Sequence, residues 1–147
     1  MKLQVDRVFI PDFKEPVKIV CRKVEERLAH KVEEDTREYL PYKSGVFQNR
    51  TIVNGNSIYY NGPQAWYLWY GRRMVNAATG KGPRFIPNIG YRWPAGAKLR
   101  PTSDPLHYTR TPHAKAGPAW IDRSEKANFN AWTRFGREHI YDIIQTL

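Results

Sequence analysis

Few side chains in this chain are of a type and spacing to do chemistry. His107 and His113 stand six residues apart, close to Asp104 and Tyr108. Imidazoles beside a carboxylate and a phenol can bind a metal or act as a general base. The reading favoured here is plainer: a strand histidine and a loop histidine, each bonded to backbone. His30 and His139 fall on two helical stretches, at the surface or the core edge. Gly80-Lys81-Gly82 resembles part of a phosphate loop, but such a loop needs glycine where Val75 stands and Ser or Thr where Gly82 stands. Cys21 is the one cysteine. It excludes an internal disulfide framework and a cysteine-based zinc cage, and its place on an apolar stripe marks it as a small core residue. The carboxylates cluster on two helices among Lys and Arg, the pattern of a solvated helix face rather than of an acid/base pair. The chain is therefore expected not to be an enzyme and to need no cofactor or metal. A nuclease using His107 and His113 is a distant alternative.

The elements behind these residues make one domain, 1–147, long enough for a single core. Hydrophobic residues are 41% and aromatics 14%, which excludes a disordered polyelectrolyte. The longest uncharged run, 51–71, holds Asn54, Asn56, Asn61 and Gln64 and is too polar for a membrane span. Residues 1–11 lack the pattern of a secretory signal, so an intracellular product with no membrane contact is expected.

Charge is segregated. Residues 1–40 carry nine basic and nine acidic side chains, and residues 120–147 carry four of each. The whole net charge of +10 therefore sits in 41–119, where eleven basic side chains face the single acid Asp104. Within this segment Arg72, Arg73, Lys81, Arg84, Arg92, Lys98 and Arg100 can neutralise phosphates, and Phe85, Tyr91 and Trp93 can stack on bases. The same residue types are enriched at protein–protein hot spots, so an assembly surface is the equal alternative. No zinc spacing, aromatic sheet signature or basic zipper is present.

Periodicity predicts an α+β fold: a long N-terminal helix and a C-terminal helix packed on a small antiparallel β-sheet, with a long basic loop at 72–105. Residues 2–10 alternate partly and read as a first strand. Val17, Val20, Cys21, Val24, Leu28, Val32, Thr36 and Tyr39 form one helical stripe, and Pro41 stops it. Asn54-Gly55 predicts a hairpin turn between 51–53 and 57–60. Residues 64–70 read as a short aromatic helix whose Trp66, Tyr67, Trp69 and Tyr70 pack on the sheet, closed by Gly71. A short strand is expected at 73–76 and a last strand at 106–111. Gly117-Pro118 opens the second helix, with Pro in its first turn. Trp120, Ser124, Ala127, Ala131, Phe135 and His139 trace one face of it, flanked by Trp132 and Ile143.

Three segments carry a family resemblance. The first is 40–47, with Pro41, Gly45 and Phe47 directly after a long helix. The second is 60–71, with Pro63, Ala65, Tyr70 and Gly71. The third is 115–120, with Gly117, Pro118 and Trp120, followed by Ser124 and Lys126. Together, in this order, they resemble the minor capsid or tail-completion proteins of siphophages and prophages of Gram-positive bacteria. The resemblance implies a structural protein of the virion neck. It would form a homo-oligomeric ring, expected to be a hexamer, that completes the tail or joins it to the head connector. Its neighbours would be the head–tail connector and the tail-terminator or tail-tube proteins, with possible contact to packaged DNA. In that setting Arg72, Arg73, Lys81, Arg84, Arg92, Trp93, Lys98 and Arg100 are assembly-interface or DNA-facing candidates, and 72–105 becomes an assembly arm. The alternative function is sequence-independent nucleic-acid binding through 72–110.

Overall fold

The computed structural model describes residues 1–4, 15–42, 46–62 and 65–146. Most of the expected first strand, and Gly45 and Pro63 of the motif residues, lie outside the described residues.

Helix α1 spans Glu15–Thr36 and continues as a 3₁₀ turn, Arg37–Tyr39. Its buried positions Val20, Val24, Val32 and Thr36 recur at multiples of four, one side of a helix. The helical path ends because Leu40 precedes Pro41. The proline ring disfavours helical geometry before it, and Leu40 is extended at φ −66°, ψ 137°. Cys21 is half-buried, at the edge of the stripe rather than inside it.

A helical turn, α2 (Val46–Asn49), leads into β2 (Thr51–Asn54) and β3 (Ser57–Tyr60). With β1 (Lys2–Gln4) they form a three-stranded antiparallel sheet in the order β1-β3-β2. Asn54 pairs with Ser57, so the two turn residues are Gly55 and Asn56, one place later than the sequence suggested. Gly55 takes φ +59° at the first central position, where a primed turn tolerates glycine best. The central strand β3 buries Ser57, Ile58 and Tyr60.

Helix α3 (Ala65–Tyr70) follows. A six-residue helix has only one inward face. Ala65 and Trp69, four apart, take it, and Trp66 and Tyr70 are left outside. Those two are 53% and 57% exposed and stack on each other at 6.2 Å. The expected packing of Trp66 and Tyr70 on the sheet is thus replaced by a surface pair.

Helix α4 (Trp120–Gln145) runs antiparallel to α1: Val20 and Val24 cluster with Ile143, while Thr36 meets Ser124. It begins two residues beyond Pro118, so Pro118 precedes the helix instead of occupying its first turn. The buried seam is Trp120, Ile121, Ser124, Trp132 and Ile143, and Ala127 and Ala131 are exposed. The flanking Trp132 and Ile143 therefore face α1, because a large apolar side chain gains more from burial than alanine does.

The core centres on Trp120, which has no solvent exposure. Its indole meets Trp69 at 5.1 Å, Phe47 at 5.6 Å and Tyr60 at 5.8 Å, each edge-on. Such pairs add about 0.5–1.5 kcal/mol each beyond burial. The Tyr60 hydroxyl lies buried near Thr36 and Glu33 without full hydrogen-bond geometry. Burial, and then the Glu33 carboxylate, push its ionisation far above the ordinary phenol range.

Polar links also join the helices. Thr36 Oγ1 and Ser124 Oγ lie 2.8 Å apart in the core. Trp132 Nε1 donates to Asp35 at 2.8 Å, and Lys31 pairs with the same carboxylate.

Two glycines separate tolerance from constraint. Gly71 has φ +67°, and a Cβ there would lie 2.8 Å from Pro118 Cβ; at Gly136 a Cβ would meet nothing within 4 Å. Gly71→Ala should cost about 2–4 kcal/mol. Gly136→Ala should stabilise by about 0.5–1 kcal/mol. Urea unfolding of both variants checks the contrast.

Candidate functional site

The segment 72–105 was expected to be a long loop holding one short strand. It holds four strands in two antiparallel pairs. Strand β4 (Arg72–Asn76) pairs with β7 (Leu99–Pro105), and β5 (Arg84–Ile86) pairs with β6 (Gly90–Arg92). The expected strand at 106–111 is absent; β7 ends at Pro105. Strand β7 contains Pro101 and Pro105, which cannot donate to a ladder. In a two-stranded pair, however, both strands are edges, and there proline is tolerated.

The outer pair is the base of an arm. Val75 buries its side chain, and the register slips between Arg72 and Met74. Arg72 Nη1 donates to the Ser103 carbonyl at 2.7 Å, and Thr102 Oγ1 donates to the Arg73 carbonyl at 2.8 Å. Arg73 also approaches Asp104 at 3.8 Å, so the segment's single acid compensates the base and not the tip. Farther out, Asn76 N–H bonds the Lys81 carbonyl and Ala77 N–H bonds the Lys98 carbonyl, each at 2.8 Å.

The inner pair is the tip. Phe85 pairs with Tyr91, their rings 5.3 Å apart, and Arg84 lies directly opposite Arg92. Phe85 is 63% and Tyr91 67% exposed, and Ile86 and Ile89 are exposed with them. Like charges opposed across strands repel, and a lone two-stranded hairpin is marginal in water. The tip therefore carries apolar and charged surface that its own chain leaves uncovered.

Of the sequence-predicted residues, Arg84 and Arg92 are brought together at the tip. Arg72 and Arg73 sit together at the base. Lys81, Lys98 and Arg100 lie exposed between, and Trp93 is half-buried. The whole set lies on one arm. Ile86 and Ile89 were not singled out; their signal is their position either side of Pro87-Asn88, in the three-residue turn Pro87-Asn88-Ile89 with Asn88 at φ +66°.

The motif segments converge elsewhere. Phe47, Ala65 and Trp120 share the main core cluster, and Leu40 and Pro41 are buried. Gly71 lies against Pro118, its carbonyl accepts from Leu106 N–H at 2.9 Å, and the Trp69 carbonyl accepts from Ala119 N–H at 3.0 Å. Tyr108 donates to the Leu68 carbonyl at 2.6 Å, and partial burial pushes its pKa above the ordinary phenol value.

The histidines do not assemble a site among the described residues. His113 is buried, its Nδ1 2.9 Å from the Leu40 carbonyl and its ring edge-on to Tyr42; His107 is exposed. His139 stacks on Phe135 at 3.9 Å, and His30 is exposed. Among the described residues no group of three or more His, Cys, Asp or Glu side chains could hold a metal ion, and no helix is long and apolar enough to cross a membrane.

No match was found. That holds for family models, for curated proteins and for solved structures.

The arm's tip should be the least protected structured part of the chain. In hydrogen exchange, amides of 84–92 should exchange orders of magnitude faster than those of 24–36 in α1. Equal protection in the two segments would contradict a tip without support from the body.

Proposed function

We propose that the chain is a structural subunit of a phage neck, without enzymatic activity, that assembles into a ring completing the tail or joining it to the head connector. The observation that carries this reading is a division of labour. The segments that bear the family resemblance are separated by tens of residues, yet they share one core around Trp120. The basic, aromatic segment between them stands outside that core with the apolar side chains of its tip in solvent. A folded body with an uncovered arm suits a protein completed by its neighbours. Rings need heterologous contacts, in which one surface of a subunit meets a different surface of the next. The arm supplies one such surface. A dense positive lining would retard DNA passing through a channel, so the arm is assigned to protein contacts and not to the lumen.

One observation favours a second reading, sequence-independent nucleic-acid binding. Arg84, Arg92, Phe85 and Tyr91 lie on one exposed two-stranded ribbon, an element that a major groove admits. Charge would lie on one face of the ribbon and stacking surface on the other.

The test is electron microscopy of lysates from a phage with an in-frame deletion of this coding sequence. The expected outcome is DNA-filled heads beside unattached tails. Normal infectious particles would overturn the neck reading. Duplex binding whose log affinity falls by roughly one unit per log unit of salt for each phosphate contacted would then favour the second.

A further inference from the structure

The tip of the arm carries two faces its own chain does not cover: the exposed Phe85–Tyr91 ring pair on one, and Ile86 with the cross-strand pair Arg84 and Arg92 on the other. A matching surface exists on the helical body. Between α1, α4 and β1 runs a groove of about 420 Å³, lined by Leu28, Phe129, Trp132 and Ile140, with Glu25, Glu125 and the cationic Arg137 beside them. Phe129 is 59% exposed, and Ile140 is exposed with it. The volume falls in the range that proteins use to seat compact apolar ligands.

Charge decides what can fill it. Nine of the 14 Asp and Glu residues lie in 1–40 and four in 120–147, which leaves Asp104 alone in the middle segment. A copy-to-copy contact that compensates the basic tip must therefore use the helical body of the neighbour. The groove joins two carboxylates and one guanidinium, a net negative lining, to an apolar floor, and the tip joins two guanidinium groups to apolar side chains. The two surfaces are opposite in net charge, and both expose apolar side chains.

We infer that the tip of one subunit's arm, with Phe85 and Tyr91 on one face and Ile86 between Arg84 and Arg92 on the other, docks end-on into the α1–α4 groove of the next copy of this chain, so that both faces meet its walls. The contact is heterologous: tip meets groove, and each subunit keeps one of each free for a further neighbour. Repetition closes into a ring when the rotation per subunit allows. This rests on the ring assembly proposed above and specifies its interface.

Two full-length variants test it, compared with wild type by sedimentation velocity. Phe85→Ala/Tyr91→Ala removes the tip and keeps the groove. Phe129→Lys places a cation in the groove and keeps the tip; Ile140→Lys is the substitute should Phe129→Lys lose its helical circular dichroism. All sites are exposed, so folding should persist. Wild type should self-associate, and each variant alone should do so about thirtyfold more weakly or worse, the size of a hot-spot loss. Mixed together, the two variants should form a heterodimer that grows no further, since one intact tip meets one intact groove. A wild type that stays monomeric at every concentration overturns the inference. So does a variant that associates like wild type, or a mixture that yields no heterodimer. The neck reading fails separately, by normal particles from the deletion phage.

Discussion

The structure depends on the burial of one indole. Trp120 is the first residue of α4, and it is sealed by rings from three other parts of the chain: Phe47 on the helical turn α2, Tyr60 on the central strand, and Trp69 on α3. A helix start pinned in this way fixes the line of the whole helix. Ser124 then falls opposite Thr36, Trp132 falls opposite Asp35, and Ile143 reaches Val20 and Val24. The contacts are edge-on, the geometry the ring quadrupoles favour, so they constrain direction as well as distance. Among the described residues the Trp120 Nε1–H finds no partner, and that cost is offset by the apolar area the indole removes from water.

The same hub explains why the arm can be left in solvent. The chain leaves the core at Gly71 and comes back to it at Leu106, whose N–H donates to the Gly71 carbonyl at 2.9 Å. Whatever lies between is bracketed by a closed contact. The β4–β7 pair and the bond from Tyr108 to the Leu68 carbonyl secure the near end. Beyond them the inner pair packs substantially only on itself. A segment whose burial is not needed to fold the body is free to concentrate charge. Its repulsion would be costly in a core and is mild in water.

Periodicity made the helices legible, because a 22-residue amphipathic stretch repeats its pattern many times. The hairpin at 51–60 was visible from Asn54-Gly55, but the turn moved by one residue, since register follows strand pairing and not the dipeptide alone. The arm was not legible as strands. Its ladders are three to seven residues long and interrupted by proline, so neither alternation nor length rises above the loop pattern. The inward faces of α3 and α4 were misassigned for a different reason. Trp66, Tyr70, Ala127 and Ala131 look like core residues until the partner element is known, and only tertiary packing supplies it. The groove was invisible for the same cause: its walls are 90 or more residues apart and meet only when α1 and α4 dock.

The central claim is that a self-sufficient body carries an arm whose purpose lies outside the chain. Replacing residues 78–97 with a two-residue Asn-Gly turn tests it most directly. Thermal unfolding of the shortened chain should stay cooperative with a midpoint within a few degrees of wild type, while self-association is lost. A chain that no longer unfolds cooperatively, or one that folds and still assembles, would contradict it.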